Sequence, residues 1–213
     1  KMNGYDLIIP VFKEKNIISL LDYLLLNTKN LNNIFICYDD ESDITIEILN
    51  KSNHIKNHKI ILTKNNFSGP CEAIKTGFKK VKSESIIVYP ADDYNNGHLI
   101  EKMYELYQQG YDIVCPSRFI EGGEIKNCPL IKFLIVKIVS FILYYLSNIQ
   151  IKDPTNGFRL FSKKIIDNNI IQSKKGFAYS LELLVKGRRK NLKVIEIPST
   201  WIERNDRKSS FKV

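Results

Sequence analysis

The sequence predicts an α/β fold in which a mainly parallel sheet is flanked by helices. Short apolar runs rich in Ile, Val and Tyr alternate with longer amphipathic stretches, which is the rhythm of βαβ units. Several of these runs end in acidic residues, the clearest being Ile86–Val88, which is soon followed by Asp92 and Asp93. A length of 213 residues suits one domain that buries roughly 70% of its unfolded surface.

The elements of the first half follow in order from this alternation. Strands are predicted where β-branched and aromatic residues cluster, at Tyr5–Val11, Ile34–Tyr38, Lys59–Thr63, Ser85–Tyr89 and Asp112–Cys115. Helices are predicted where apolar residues recur at helical spacing, at Lys15–Asn27, Ile44–Lys51, Pro70–Val81 and His98–Gln108. Gly110 is predicted to end the last of these helices, because glycine readily adopts the left-handed conformation of a C-terminal cap.

The second half changes character at Pro116. A loop rich in glycine and charge precedes the apolar stretch 130–149, which Lys132 and Lys137 interrupt. Lysine is costly at bilayer depth, so this stretch is predicted to be either a buried helix or a helix lying in a membrane interface. Its aromatic residues favour the interface slightly.

The formal net charge of +9 predicts anionic partners, which include nucleic acid, an anionic membrane surface and phosphorylated small molecules. No nucleic-acid-binding signature accompanies the charge, so nucleic acid is not an expected partner. The four cysteines form no CxxC pair, which is typical of reduced thiols in a cytosolic protein. The segment Lys1–Asp6 has no apolar signal region, so a cytoplasmic location is expected.

Acidic residues follow three of the predicted strands. Glu14 follows the first strand, Asp40 the second, and Asp92 with Asp93 the fourth. The carboxyl ends of parallel strands share one edge, where ligands of open α/β sheets bind. Carboxylates there suit Mg²⁺ or Mn²⁺ carrying a diphosphate. The pattern predicts a bound nucleotide, although each segment alone also fits an acidic helix start or a solvated turn.

Two other classes of nucleotide-binding protein are disfavoured by missing motifs. No GxGxxG sequence follows a predicted strand, as it would in a dehydrogenase with a dinucleotide-binding fold. No GxxxxGK[ST] sequence is present either, so a P-loop enzyme is not indicated. Neither hydride transfer nor ATP hydrolysis is therefore expected.

Six motifs in a fixed order carry a resemblance that spans nearly the whole chain. They are Pro10–Glu14, Asp39–Asp43, Ala91–Asp92, Ser117–Phe119 with Gly122–Gly123, Asp153–Arg159, and Glu196–Pro198 with Arg204–Ser209. In this order they resemble the motifs of family-2 glycosyltransferases of GT-A fold, in the dolichyl- and polyprenyl-phosphate mannose synthase branch. The resemblance implies a single GT-A domain over 1–213, with a nucleotide-sugar-binding half at 1–115 and an acceptor-binding half at 116–213.

The same resemblance implies an inverting glycosyltransferase that moves a sugar from a GDP-mannose-like or UDP-sugar donor to a polyprenyl or dolichyl phosphate. Its partners would be the nucleotide sugar, the lipid phosphate and the membrane surface on the cytosolic side, where it would be peripheral. The implied donor-binding residues are Pro10, Val11, Phe12, Glu14, Asp40 and Asp92. The implied catalytic residues are Asp92, Asp153 and Arg204, the acceptor-binding residues are Arg118 and Lys132, and the ligands of a divalent metal are Asp92 and Asp93.

The chain departs from the family pattern at several positions. Pro90 replaces the first aspartate of Asp-Ala-Asp, Asp93 and Tyr94 replace the Leu-Gln that follows it, Val136 replaces a serine expected after the acceptor arginine, and Arg207 replaces a glycine of the closing motif. Two alternatives therefore stay open. One is a transferase acting on a hydroxyl of a cell-surface polysaccharide, which would need a general base such as Asp153 or Asp93. The other is a non-catalytic relative that docks to membranes.

Overall fold

The computed structural model describes residues 3–146 and 149–203. The strands in this part of the chain are β1 (Tyr5–Pro10), β2 (Leu31–Tyr38), β3 (Ile60–Lys64), β4 (Ser85–Val88), β5 (Ile113–Ser117), β6 (Glu124–Lys126), β7 (Arg159–Ser162), β8 (Val194–Pro198) and β9 (Thr200–Ile202). The α-helices are α1 (Ile17–Asn27), α2 (Ile44–Lys51), α3 (Pro70–Lys80), α4 (Leu99–Gln108), α5 (Leu130–Leu146), α6 (Lys163–Asp167) and α7 (Ala178–Arg189).

Seven of the strands form one sheet in the order β3-β2-β1-β4-β7-β5-β8. All neighbours in it are parallel except β7, which runs antiparallel to both β4 and β5. The predicted mainly parallel sheet flanked by helices is therefore confirmed. Strands β7 and β8 come from the predicted second half yet lie in the same sheet as β1, and the division of the chain at residues 115 and 116 stays a prediction.

The interior strand β1 is buried on both faces, which explains its apolar run Leu7–Ile9. Leu7 and Ile9 pack into the cluster that includes residues of α1, α2 and α4. Ile8 points the other way, into the cluster that includes residues of α3 and α7. Successive side chains of a strand alternate between faces, so a strand covered by helices on both sides favours apolar residues at successive positions; the buried Asp6 is tolerated because its carboxylate accepts hydrogen bonds, among them one from Asn33.

The close approach of α3 to β1 depends on a glycine. A Cβ atom built on Gly77 would lie 2.7 Å from Cγ2 of Ile8, which is closer than carbon atoms pack. The absence of a side chain at Gly77 lets the helix lie directly on the strand. This contact helps fix the position of β1, whose carboxyl end carries the first predicted donor segment.

The predicted start of the second strand at Ile34 is wrong by three residues, because β2 begins at Leu31. The error comes from Asn32 and Asn33, which are depleted in strands on average. Here tertiary hydrogen bonds satisfy both amides: Nδ2 of Asn33 donates to Asp6 Oδ1 at 2.9 Å, and Nδ2 of Asn32 donates to Ser83 Oγ at 2.9 Å.

Candidate functional site at the carboxyl edge of the sheet

The three acidic segments lie at one edge of the sheet. Strands β2, β1 and β4 are neighbours and run in the same direction, so the residues that follow them emerge side by side. Glu14 follows β1, Asp40 follows β2 and Asp92 follows β4. The carboxyl edge of a parallel sheet is the usual location of a ligand in an open α/β fold.

The segment after β1 turns sharply and is held by α2. Lys13 adopts a left-handed backbone conformation with φ of 53°, and its N–H donates to both carboxylate oxygens of Asp43, at 2.9 and 3.1 Å. The same carboxylate caps α2 by accepting from the N–H of Thr45 at 2.8 Å. One side chain therefore fixes both the start of a helix and the turn that presents the predicted donor residues.

The predicted donor residues of this segment differ in exposure. Val11 is buried, Pro10 is half-buried, and Phe12 is 63% exposed, so only the phenylalanine ring lies open to a ligand. Glu14 is buried, and the hydroxyl of Tyr94 donates to its Oε1 at 3.2 Å. Tyr94 belongs to the segment after β4, so this contact joins two of the three predicted donor segments.

The segment after β2 contains two adjacent aspartates, Asp39 and Asp40, which make different contacts. Asp39 accepts hydrogen bonds from Asn65 Nδ2 at 2.8 Å and from the N–H of Gly69 at 2.9 Å, which fix it to the chain after β3. Asp40 is exposed and accepts from the N–H of Ser42 at 2.9 Å. That hydrogen bond lowers the pKa of Asp40, so this carboxylate is ionised at neutral pH and faces solvent.

The two aspartates after β4 are placed differently. Asp93 is buried, and its carboxylate accepts from the N–H groups of Asn95 and Asn96 and from Asn96 Nδ2 at 2.7 to 3.0 Å. Burial raises the pKa of Asp93, and these hydrogen bonds offset part of the rise. Asp92 is only half-buried. This geometry favours a structural role for Asp93 in its turn and leaves Asp92 as the more accessible predicted metal ligand.

The residues present fit a metal that is shared with a substrate. Within residues 3–146 and 149–203, no group of three or more His, Cys, Asp or Glu side chains is close enough to hold an ion by itself. Mg²⁺ is commonly held by one or two carboxylates together with substrate phosphates and water, rather than by a complete set of protein ligands. A single carboxylate at the strand end, that of Asp92, meets this requirement.

A cavity of about 860 Å³ opens near the end of β3 and the start of α3. Its lining includes Phe67, Ser68, Glu72 and Lys75 on one side and Ile171 and Lys174 on the other. None of the predicted donor residues lines it. The predicted donor residues lie instead at the ends of β1, β2 and β4, and their role in donor binding stays a prediction.

The structure joins Arg118 and Asp153, which the sequence analysis assigned to separate roles. The guanidinium donates from Nε to Asp153 Oδ2 at 2.6 Å and from Nη2 to Oδ1 at 2.7 Å, and the N–H of Arg118 also donates to Oδ2 at 3.0 Å. The side chains are 14% and 0% exposed. Although burial alone would raise the pKa of Asp153, the hydrogen bonds from Arg118 outweigh it and the pKa is lowered.

This pairing bears on both predicted roles. A carboxylate with a lowered pKa that accepts three hydrogen bonds from Arg118 and one from Thr155 is a poor general base, because its lone pairs are already in use. An arginine whose fork faces a carboxylate has less capacity left for an acceptor phosphate. The geometry therefore favours a positioning role for Asp153, and the catalytic and acceptor-binding assignments of the two residues stay predictions.

Two further side chains, which the sequence analysis did not select, hold the turn around Asp153. The carboxylate of Glu196 accepts from the N–H groups of Lys152 and Asp153 at 3.0 and 3.1 Å. Arg159 is fully buried and donates to the carbonyl oxygens of Ser180 at 3.0 Å and Asp153 at 3.3 Å. Both residues lie within motifs of the resemblance, which was the available signal that they matter.

Lys132, the second predicted acceptor residue, has a partner inside the chain. Its ammonium lies 2.5 Å from Oε1 of Glu203, whose other oxygen accepts from Trp201 Nε1 at 3.0 Å. Burial would raise the pKa of Glu203, but these hydrogen bonds outweigh it and the pKa is lowered. Arg204, the remaining predicted catalytic residue, lies outside the described residues.

Helix α5 carries an apolar surface that the described part of the chain leaves uncovered. Its exposed apolar residues are between 40% and 78% accessible, namely Leu130, Ile131, Leu134, Ile138, Val139, Phe141, Ile142 and Tyr145. The prediction of a buried helix is therefore wrong, and of the two alternatives only the interfacial one stays open. No helix among the described residues is long and apolar enough to span a bilayer.

The sheet order and the carboxylate edge define a GT-A fold, the fold of nucleotide-diphospho-sugar transferases. A crystal structure of glucosyl-3-phosphoglycerate synthase from Mycobacterium tuberculosis, in complex with Mn²⁺, UDP and glucosyl-3-phosphoglycerate, superposes with a TM-score of 0.74 at 10% identity. The match covers 97% of this chain and 73% of that one. Residues 6–169 match the family described as glycosyl transferase family 2, and the chain belongs to that family.

Two relatives are similar in sequence. A dolichol-phosphate mannosyltransferase from Pyrococcus furiosus is 30% identical over 200 residues, which is 92% of this chain. A polyprenol monophosphomannose synthase from Mycolicibacterium smegmatis is 24% identical over 141 residues, which is 60% of this chain. The matches span 56% and 53% of the lengths of these two relatives.

Proposed function

We propose that the protein is a membrane-associated, inverting glycosyltransferase that moves a sugar from a nucleotide diphosphate sugar to a polyprenyl-type lipid phosphate. The observation that carries the proposal is the presence, in a family-2 chain, of both a carboxylate-lined sheet edge and an uncovered apolar helix. The first suits a nucleotide sugar, and the second suits a lipid. The names of the two relatives support the same pairing of substrates.

The donor would lie across the ends of β2, β1 and β4. The exposed Asp40 would accept a hydrogen bond from the base or ribose, and the exposed ring of Phe12 offers a surface for stacking. The buried Glu14 would support the donor site by joining its segment to Tyr94. Asp92 would hold Mg²⁺ or Mn²⁺ together with the diphosphate. A divalent ion bound there would neutralise the charge that develops on the leaving diphosphate.

The acceptor class follows from the available bases. An ionised phosphate is already a nucleophile and needs no residue to remove a proton, whereas a hydroxyl acceptor does. Asp153 is paired with Arg118 and Asp93 is enclosed in its turn, so neither former candidate is well placed to act as that base. This arrangement supports a phosphate acceptor over the hydroxyl of a polysaccharide.

Transfer to a lipid requires the protein to reach a membrane, and α5 is the element suited to it. Eight exposed apolar residues on one helix indicate an interaction surface. Aromatic and basic residues on the same helix are typical of one that lies in the membrane interface. We propose peripheral association with the cytosolic face through α5.

A transfer assay with purified protein tests the activity. GDP-mannose and UDP-glucose, each radiolabelled, would be offered with a short polyprenyl phosphate or with a neutral oligosaccharide, with and without Mn²⁺. The proposal predicts Mn²⁺-dependent label in the lipid fraction with one donor and at least a hundredfold loss in Asp92→Asn, because removal of a group that stabilises the developing charge typically costs about that much. Label in the oligosaccharide alone would overturn the acceptor class.

Vesicle sedimentation tests the role of α5. The double variant Ile138→Glu and Phe141→Glu should bind anionic vesicles at least tenfold more weakly, since burying each side chain contributes about 1.5–3 kcal/mol. Leu26→Glu is the matched control, because Leu26 is 85% exposed on α1, a different helix. Equal loss in the control would mean that added charge, rather than the surface of α5, governs binding.

A further inference from the structure

A second and smaller cavity, of about 220 Å³, lies beside α5. Aromatic side chains form most of its wall, among them Phe119, Phe141 and Tyr145, and its polar groups come from Lys137, Ser140 and Lys152. Phe119 follows Arg118 and Lys152 precedes Asp153 in the chain, so the cavity adjoins the buried ion pair. Sites for drug-sized ligands start at about 300 Å³, so this one suits a head group rather than a nucleotide sugar.

The charges at this cavity are not neutralised within the described chain. Arg118 faces Asp153 and Lys132 faces Glu203, but neither Lys137 nor Lys152 forms an ion pair with any residue in 3–146 or 149–203. The Lys137 ammonium lies 5.5 Å from the centre of the Phe133 ring, a cation–π distance. Two uncompensated positive charges therefore border one small cavity.

Ser140 provides an independent sign that the cavity suits a polar group. It is the only buried residue among positions 130–145 of α5, at 2% exposure. Ser140 lines the cavity, and its hydroxyl oxygen, which is closed off from solvent, has no hydrogen-bond partner in the described part of the chain. A buried hydroxyl without a partner costs stability, and such groups in native proteins are usually satisfied by water or a ligand.

We propose that this cavity binds the phosphomonoester head of an amphiphile. The phosphate lies between Lys137 and Lys152 and accepts a hydrogen bond from Ser140. The alkyl chain runs along the uncovered apolar residues of α5. A monoester carries nearly two negative charges at neutral pH, which two lysines balance, whereas a diester head group carries one. The proposal rests on the proposed function, since the acceptor there is of this class, but it assigns the phosphate to residues other than Arg118 and Lys132.

Calorimetric titration of the whole chain with octyl phosphate at pH 7.5 tests the site. The proposal predicts saturable binding of the monoester, with weaker binding of methyl octyl phosphate, octanol and inorganic phosphate. Lys137→Met and Lys152→Met should each lower the affinity for octyl phosphate on the order of tenfold, as expected for loss of a hydrogen bond to a charged group. Ser140→Ala should weaken it several-fold while leaving the melting temperature unchanged or raised.

Lys102→Met is the matched control, because Lys102 is an exposed lysine of α4 that does not line the cavity. Unchanged monoester affinity in both the Lys137 and Lys152 variants, or equal affinity for octanol, would overturn the proposal. Nucleotide binding is titrated separately in every variant. A chain that binds octyl phosphate through these lysines but binds no nucleotide sugar would contradict the proposed function and leave this inference standing.

Discussion

The Asp153→Asn substitution would leave the guanidinium of Arg118 largely buried without its counter-ion. The carboxylate accepts three hydrogen bonds from Arg118, the two from the side chain at 2.6 and 2.7 Å. Removing one partner of a buried ion pair typically costs about 3–5 kcal/mol, because the other charge stays buried and uncompensated. Asparagine keeps one acceptor oxygen, so we expect the lower end of that range, about 3 kcal/mol.

Urea denaturation followed by circular dichroism measures this loss. About 3 kcal/mol should lower the melting temperature of a chain of this length by roughly 6–12 °C. A double-mutant cycle also requires the single variant Arg118→Met and the double variant that combines it with Asp153→Asn. Because neither charge is then left alone, the double variant should be more stable than the sum of the single losses implies, by at least about 1 kcal/mol.

The pH dependence of stability gives a second readout. The pKa of Asp153 in the folded protein lies below its ordinary value, so its contribution is present above the unfolded pKa of about 3.9 and is lost as the pH falls through the folded value. Asp153→Asn should therefore flatten part of the acid limb of the stability curve. If the variant instead keeps its full stability and loses only transfer activity, Asp153 acts in the chemistry and our reasoning is refuted.

Three further substitutions test other contacts. Asp43→Ala should lower the free energy of unfolding by about 1 kcal/mol, because α2 loses its N-terminal cap; urea denaturation measures this loss. The same variant should raise KM for the donor more than it lowers kcat in steady-state kinetics, because the turn at Lys13 loses its anchor. Gly77→Ala should cost about 1–3 kcal/mol in thermal denaturation, since the new methyl group meets Ile8 at 2.7 Å, and an unchanged melting temperature would contradict this packing. Burial would raise the pKa of Glu182, but hydrogen bonds from Gln172, Lys186 and Ser173 outweigh it and lower the pKa to about 2. Glu182→Gln should therefore remove a contribution to folding stability that is present above about pH 4.3 and is lost as the pH falls toward 2, which acid denaturation measures.

The position of the acidic segments at one edge of the sheet could be predicted from the sequence, because each strand and the residues that follow it are recognisable locally. Most strands of the first half are short apolar runs, and the predicted donor residues Asp40 and Asp92 follow two of them within four residues. Parallel neighbours then bring those ends together without further information. The helix cap at Asp43 was within reach for the same reason, since aspartate before an amphipathic stretch is a known start signal.

The acceptor side could not be predicted in the same way because its contacts are distant in sequence. Arg118 and Asp153 are 35 residues apart and meet through loops, which carry no periodicity. Strand β7 has four residues, too few to display alternation. Whether Asp92 or Asp93 faces outward depends on the turn that Asn96 closes, and two adjacent aspartates look alike in sequence.

The reversed strand β7 has a consequence for how the protein must fold. It lies between β4 and β5, and in the described part of the chain β5 pairs with β7 on one side and β8 on the other. A nascent chain that has reached residue 117 therefore carries β5 without either neighbour and β4 with one open edge. Unpaired edges promote aggregation, and closing them requires pairings across long stretches of chain, which form slowly. The segment 159–198, which supplies β7 and β8, is thus the last part of the sheet to be synthesised, and its arrival completes the sheet.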